Sequence, residues 1–200
     1  MVVSSNNGKT PLNVRGNKLS TMKPELYRGG VGRHFDVQVG GVLTLEFLRL
    51  TNAKHPGQTN GVGLTNVDGG SILISGGGYG LFTSITWSGN EASDGGAVAV
   101  KGIPSVSSGP SVFIRCEFFG NKASPGGGGA LLLFSKTQAI VVDSNFANNQ
   151  IISPYGQFGR DIFLLDNVTL YLLSTEKAFS TPDIVDYVSK QRKYFSVVNE

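Results

Sequence analysis

The residues in this chain whose types and spacing could do chemistry are Arg115, Glu117 and Asp143. Two carboxylates beside an arginine could act as general acid and base on an acidic polysaccharide. The same side chains could instead form a cross-strand ion pair on a solvated face, which contributes only about 0.2–1 kcal/mol to stability. The sequence therefore favours a protein without catalytic residues, and a carbohydrate-active lyase or hydrolase that uses these three residues is the alternative.

The chain offers few groups for metal or cofactor chemistry. Asp94, Asp161 and Asp166 lie near predicted corners of the chain, but calcium needs about six to eight clustered oxygen ligands, and separated aspartates more often serve turns. The chain has one cysteine and two histidines, which excludes the usual zinc clusters. Because Cys116 falls on a predicted inward face, we expect a buried, inert thiol. We predict no metal and no cofactor.

The charge distribution argues against a nucleic-acid partner. The chain of 200 residues has 28 glycines, only 16% charged residues and a net charge of +3. Residues 1–34 carry a net charge of +5, whereas residues 35–173 carry −2. A nucleic-acid groove needs Lys and Arg spread along one face. The segment Met1–Thr10 has no signal-peptide pattern, and no apolar run is long enough for a membrane span, so we expect neither feature.

Two short motifs recur along the chain in alternation. An aromatic residue followed three positions later by asparagine occurs three times, and the asparagines are separated by 31 and 28 residues. A Gly-Gly-Ala step follows two of these asparagines, and we predict that its glycines form corners between strands. A repeat of about 30 residues is typical of solenoid proteins. The motif residues are Trp87 and Asn90, Phe118 and Asn121, Phe146 and Asn149, with the turn glycines Gly95, Gly96, Gly128 and Gly129.

The segments between these motifs alternate apolar and polar residues, which predicts β-strands with one buried face. About three short strands fit in one repeat, and this favours an all-β fold in which successive turns of the chain pair in parallel. The predicted ladder of asparagine amides and the file of aromatic rings would then run along the stack. The inward file is predicted to contain Val112, Ile114, Cys116 and Phe118. Two outward rows are predicted: Ser84, Arg115, Asp143 and Tyr171, and then Thr86, Glu117, Asn145 and Leu173.

The predicted architecture is a parallel β-helix solenoid of about four to five coils spanning residues 35–175. Residues 1–34 are predicted to form an irregular, basic N-terminal cap. In the tail of residues 176–200, Thr181 resembles a helix N-cap residue, and Ile184, Val185 and Val188 could form an apolar helix face. A capping helix over about residues 181–195 is therefore expected.

The two motifs resemble the repeats of the chlamydial polymorphic outer-membrane proteins, which are known for Gly-Gly-Ala-Ile and Phe-x-x-Asn. The matches are Gly95–Val98, Gly128–Leu131, Phe118–Asn121 and Phe146–Asn149, with Trp87–Asn90 as a variant. The resemblance covers roughly residues 34–170 and implies a right-handed β-helix in an exported surface domain involved in adhesion. It implies a secreted or cell-surface location and no chemistry.

These observations leave three functional hypotheses. The first is a structural or adhesive β-helix without catalytic activity that presents a flat face to a protein or glycan partner. The second is the lyase or hydrolase that would use Arg115, Glu117 and Asp143. The third is a structural spacer in a larger assembly, because the open ends of a strand stack invite end-to-end docking with other subunits.

Overall fold

The computed structural model describes residues 2–3, 11–19, 22–55, 68–102, 109–152, 159–174, 182–186 and 194–198. Within these ranges the regular structure is entirely β, and it consists of short strands separated by turns. Accordingly, the described part of the chain contains no helix with the length and apolarity that crossing a membrane requires.

The strands are two to six residues long and are numbered β1 to β22 in chain order. The first nine are β1 (Val2–Val3), β2 (Leu12–Arg15), β3 (Glu25–Tyr27), β4 (Phe35–Val37), β5 (Val42–Glu46), β6 (Arg49–Thr51), β7 (Ile72–Ile74), β8 (Tyr79–Thr83) and β9 (Thr86–Ser88). The next nine are β10 (Glu91–Ala92), β11 (Val98–Lys101), β12 (Ser111–Ile114), β13 (Glu117–Phe119), β14 (Lys122–Ala123), β15 (Leu131–Phe134), β16 (Gln138–Val142), β17 (Asn145–Ala147) and β18 (Gln150–Ile151). The last four are β19 (Ile162–Leu165), β20 (Thr169–Ser174), β21 (Ile184–Asp186) and β22 (Tyr194–Val198).

These strands form four parallel sheets, which we call sheets A to D. Sheet A has seven strands in the order β1-β4-β7-β11-β15-β19-β21, and sheet B has seven in the order β2-β5-β8-β12-β16-β20-β22. Sheet C has five strands in the order β17-β13-β9-β6-β3, and sheet D has three in the order β10-β14-β18. Successive strands from β1 to β18 belong to sheets A, B and C in turn, with sheet D added after β9, and β19 to β22 alternate between sheets A and B.

The strands are separated by corner residues in the left-handed backbone conformation. The corner between sheets B and C is formed by Ser84, Arg115 and Asp143, with φ angles of 53°, 50° and 45°. Their backbone N–H groups continue the parallel pairing, since Arg115 N donates to the Val142 carbonyl at 2.8 Å. Positive φ is incompatible with the extended β conformation and is uncommon for residues other than glycine. These corners therefore end strands β8, β12 and β16 of sheet B at the equivalent position.

The predicted fold, a single β-helix solenoid of four to five coils, is wrong. The described strands form four separate parallel sheets, and none of these sheets closes on itself or forms one continuous solenoid sheet. The left-handed corners separate the strands of one sheet from those of the next. Sheets A and B also contain seven strands each, more than the repeat count predicts.

Both predicted end caps are also wrong. The described part of the N-terminal segment is not an irregular cap, because β1, β2 and β3 pair in parallel with β4, β5 and β6. In the predicted capping helix Ile184–Asp186 is a strand that pairs with β19, and Tyr194–Val198, which begins at the end of that predicted helix, is a strand that pairs with β20. Thr181 and Val188 lie outside the described residues. The apolar residues of this tail therefore extend two sheets instead of covering their end.

The main core lies between the inner faces of the sheets. It is filled by fully buried side chains, the largest of which are Trp87, Phe82, Phe113 and Phe118. A second, smaller apolar cluster of Leu73, Ala99, Leu132 and Phe163 lies on the opposite face of sheet A. Both faces of sheet A are thus apolar, which is typical of strands in a parallel sheet that is buried on both sides.

The predicted inward file changes phase at the corner. Phe113 is buried in β12, whereas Val112 and Ile114 are only half-buried; beyond the corner, Cys116 and Phe118 are buried. The corner residue Arg115 therefore inverts the alternation that an uninterrupted strand would keep.

The fourth members of both predicted outward rows are misplaced as well. Tyr171 pairs with Ile140 and Leu173 pairs with Val142, so neither continues the row of Asp143 or of Asn145.

Candidate functional site

Glu117 lies at the start of β13 and is exposed on the outer face of sheet C. Its Oε2 accepts a hydrogen bond of 2.8 Å from Thr86 Oγ1 on the adjacent strand. Thr86 Oγ1 in turn accepts one of 2.9 Å from Lys23 Nζ. In register, the neighbours of Glu117 are Thr86 and Asn145, so this carboxylate belongs to a row of polar side chains and not to a carboxylate pair.

Arg115 and Asp143 occupy equivalent corners between sheets B and C, one corner before the strands that carry Glu117 and Asn145. The shallow cavity on sheet C is lined by Glu117 but not by Arg115 or Asp143. Of the three predicted catalytic residues, only Glu117 thus faces this cavity, while Arg115 and Asp143 lie at the corners that precede it.

This cavity has a volume of about 260 Å³ and lies on the outer face of sheet C. It spans strands β6, β9, β13 and β17, and Arg49 lies in the same row as Glu117 with Thr86 between them. Arg49 and Glu117 are separated by two strand spacings, or about 10 Å. The cavity-lining residues are Arg49, Thr86, Ser88, Glu117, Phe118, Phe119, Asn145 and Ala147.

A second outward row on sheet C carries two exposed aromatic side chains. Tyr27 is 65% exposed and Phe119 is 50% exposed. The register places Thr51 and Ser88 between them in the same row. Tyr27 and Phe119 are therefore separated by three strand spacings, or about 14 Å, with only small side chains between them.

Sequence reasoning missed Arg49 and Tyr27 as surface residues of this site. Each lies in a strand that precedes the recognised motifs, and the register that aligns them with Glu117 and Phe119 depends on three earlier pairings. The available signal was the Leu48-Arg49-Leu50 alternation, in which Leu50 occupies the position of Trp87 one strand earlier.

The motif asparagines form a continuous row of hydrogen bonds beneath this surface. Asn121 Oδ1 accepts from the backbone N and the Nδ2 of Asn90, at 3.1 and 3.0 Å. Asn149 Oδ1 accepts from the same two groups of Asn121, at 3.0 and 3.1 Å. The row ends at Ala53 N, which donates to Asn90 Oδ1, and at Asp161 Oδ1, which accepts from Asn149 Nδ2. Each buried amide therefore joins adjacent strands at the corner between sheets C and D.

The motif aromatic rings stack directly on one another. The centroids of Trp87 and Phe118 are 4.7 Å apart with 14° between ring planes, and those of Phe118 and Phe146 are 4.6 Å apart with 3° between planes. The rings lie on the inner face of sheet C, behind the cavity. This file gives the outer surface a rigid support.

The paired glycines form the corner that leads into sheet A. The first glycine of each pair has a left-handed backbone, with φ of 59° at Gly95 and 66° at Gly128. The second has no room for a side chain, since a Cβ on Gly96 would lie 2.2 Å from the carbonyl oxygen of Gly129. A Cβ on Gly129 would lie 2.4 Å from the carbonyl oxygen of Arg160.

The three aspartates considered for calcium have separate local partners. Asp94 Oδ1 accepts from Gly127 N at 2.6 Å, Asp161 accepts from Asn149 Nδ2 and Asp183 N, and Asp166 Oδ1 accepts from Asn167 Nδ2 at 3.2 Å. Over the described ranges, the His, Cys, Asp and Glu side chains form no group of three or more that could hold a metal ion.

Two further groups with nucleophilic or acid–base potential are buried. Burial raises the pKa of the Cys116 thiol to about 12, so the thiol stays protonated at neutral pH. Burial lowers the pKa of His34 to about 4, and its ring nitrogens contact Ser71 Oγ at 2.9 Å and the Leu26 carbonyl at 2.6 Å. Both side chains serve the packing of the structure.

Asp94 should make stability depend on pH. Burial raises its pKa to about 6 from an ordinary value of 3.8, against the opposing hydrogen bond from Gly127. The folded state thus binds a proton more tightly than the unfolded chain, and stability falls as the pH rises from about 4 to 6. We expect the unaltered chain to lose about 2 kcal/mol of unfolding free energy over this pH range, and the Asp94→Asn variant not to show this loss.

The measurement is the free energy of unfolding in urea at several pH values between 4 and 7. Asn13→Ala, which replaces an exposed side chain that does not titrate, serves as the control, and its pH dependence should match that of the unaltered chain. Parallel curves for the unaltered chain and Asp94→Asn would contradict the assignment.

Comparison with known proteins adds no relative: no protein family, no curated protein and no solved structure matches this chain.

Proposed function

We propose that this chain is a structural or adhesive protein without catalytic activity, which presents the outer face of sheet C to a protein or glycan partner at a cell surface or outside the cell. The proposal rests on one observation above all. On sheet C, exposed polar and aromatic side chains stand in regular rows directly over a closely packed file of stacked rings. A rigid, repetitive surface of this kind favours recognition, because little conformational entropy is lost when it binds.

The environment of Glu117 supports a binding role over a catalytic one. General acid–base catalysis needs a carboxyl group positioned against the reacting atoms, with a second group to complete the proton transfer. Glu117 instead accepts a hydrogen bond from Thr86, and its register neighbour is the amide Asn145.

The test is to incubate the chain with polygalacturonate, alginate, hyaluronan and xylan. We expect no decrease in polymer length with the unaltered chain, with Glu117→Gln or with Asp143→Asn. In affinity electrophoresis, we expect any polysaccharide retention to change by less than about threefold in these variants, since glutamine and asparagine keep an oxygen acceptor. Glu46→Gln, on sheet B and paired with Arg15 at 2.9 Å, is the matched control.

Depolymerisation by the unaltered chain that falls at least about 100-fold in Glu117→Gln, but not in Glu46→Gln, would overturn the proposal in favour of a lyase or hydrolase.

A further inference from the structure

The outer face of sheet C has two parallel rows with different chemistry. The first, which we call the polar row, contains Glu25, Arg49, Thr86, Glu117 and Asn145. The second, which we call the aromatic row, contains Tyr27, Ser88, Phe119 and Ala147, with the buried Thr51 between Tyr27 and Ser88. Both rows run along the stacking direction, perpendicular to the strands, so a ligand lying along them contacts each strand in turn.

The charges on this face are balanced. Two basic side chains, Lys23 and Arg49, accompany two acidic ones, Glu25 and Glu117. Glu25 accepts a hydrogen bond from Thr51, and Glu117 accepts one from Thr86. A polyanion would be repelled by the carboxylates of Glu25 and Glu117. A polycation would be repelled by Lys23 and Arg49. The surface therefore complements a neutral ligand that both donates and accepts hydrogen bonds.

The apolar groups on this face are isolated. Tyr27 and Phe119 are its exposed large apolar side chains, and Thr51 and Ser88 separate them. A protein interface usually has a contiguous apolar core surrounded by polar residues. A sugar chain instead offers a small apolar ring face to one aromatic side chain and hydroxyl groups to the polar residues around it.

We propose that the outer face of sheet C binds a neutral oligosaccharide laid along the stacking direction. This inference rests on the proposed binding function and names the partner class. Half-exposed Phe119 packs against the apolar face of one sugar in the cavity of about 260 Å³. Arg49 donates to hydroxyl oxygens about two strand spacings away, roughly 10 Å, and Glu117 accepts from hydroxyl groups beside Phe119. Tyr27 supplies a second aromatic contact farther along the same row.

The experiment is isothermal titration calorimetry of the full chain with hexasaccharides of glucose, mannose and galactose, and with oligogalacturonate as the acidic probe. At least one neutral hexasaccharide should bind, with an affinity that changes little with salt. Phe119→Ala should weaken that binding at least about tenfold, and Arg49→Gln at least about threefold. The matched controls are Leu81→Ala, an apolar residue exposed on sheet B, and Arg115→Gln, an exposed arginine outside the cavity. Both should bind within about twofold of the unaltered chain.

Several results would overturn the inference. These are no binding of any neutral hexasaccharide, preferential binding of oligogalacturonate with a steep salt dependence, or an unchanged affinity in Phe119→Ala. Binding of a protein partner without glycan binding would also overturn it, but would leave the proposed binding function intact. Cleavage of the hexasaccharides would overturn both. Because Phe119 is exposed, its alanine variant should fold normally, and an unchanged circular dichroism spectrum checks this.

Discussion

Replacing Asn121 by alanine is expected to lower the free energy of unfolding by about 4 kcal/mol. Asn121 is completely buried, and its amide oxygen accepts from both the backbone N and the Nδ2 of Asn90. Its Nδ2 donates to the Trp87 carbonyl at 3.1 Å and to Asn149 Oδ1. Alanine would leave Asn90 N without this acceptor and the Trp87 carbonyl without this donor. Each buried polar group left unsatisfied costs about 1–3 kcal/mol, and the cavity adds to this.

Urea unfolding followed by circular dichroism measures this loss. Asn13→Ala is the control, because Asn13 is exposed in β2, and its effect should be within about 0.5 kcal/mol. The two asparagines differ in burial and hydrogen bonding but not in chemistry. A loss of less than about 1 kcal/mol in Asn121→Ala would show that the asparagine row does not stabilise the fold.

The all-β composition and the repeated parallel strands could be predicted from the sequence, and both are confirmed. The asparagine spacing carried this information, because the ladder pairs Asn90 with Asn121 over 31 residues and Asn121 with Asn149 over 28. A buried amide that bonds to its copy on the next strand tolerates few replacements, so the position remains visible in the sequence.

The orientation of side chains could not be predicted across the corners. Alternation assigns faces only while a strand continues, and Arg115 occupies a left-handed corner that few non-glycine residues adopt. Nothing about an arginine indicates such a corner. As a result, alternation predicts Val112 and Ile114 on the inner face, whereas Phe113 between them is the buried residue.

The ends of the stack were mispredicted because pairing overrides local pattern. Ile184 and Val185 have helical spacing with Val188, but both are β-branched, and the edge of β19 offers them parallel partners at Ile162 and Phe163. Hydrogen bonding to an existing sheet edge thus determines the structure of this segment.

An earlier copy of the glycine corner was also missed. Gly69 has a φ of 71°, and a Cβ on Gly70 would lie 2.3 Å from the carbonyl oxygen of Gly96. The third residue here is Ser71 instead of alanine, so the segment does not match the Gly-Gly-Ala motif.

The candidate site was visible only in part. Glu117 and Phe119 are adjacent to a recognised motif, and their outward direction follows from the burial of Phe118. Arg49 and Tyr27 join them only through pairings that are distant in sequence. A binding surface assembled from several strands therefore depends on register, which a single sequence specifies weakly wherever a strand lacks a motif.

Replacing Phe118 by alanine is expected to lower the free energy of unfolding by about 3–5 kcal/mol, the usual cost of removing a buried phenylalanine. Phe118 is 1% exposed, and its ring stacks on Trp87 at 4.7 Å and on Phe146 at 4.6 Å. Each such ring pair adds about 0.5–1.5 kcal/mol beyond burial. Because the deleted ring lies between two others, its removal leaves a cavity between Trp87 and Phe146, and the neighbouring strands cannot close it without losing their register.

The adjacent residue provides the matched control for this prediction. Phe119 is in the same strand and has the same side chain, but it points outward and is 50% exposed. Phe119→Ala should therefore change the free energy of unfolding by no more than about 0.5 kcal/mol while weakening glycan binding. Urea unfolding of both variants measures the difference. Equal losses of stability would show that the strand does not separate a buried face from an exposed one at this point, and sheet C would then present no independent binding surface.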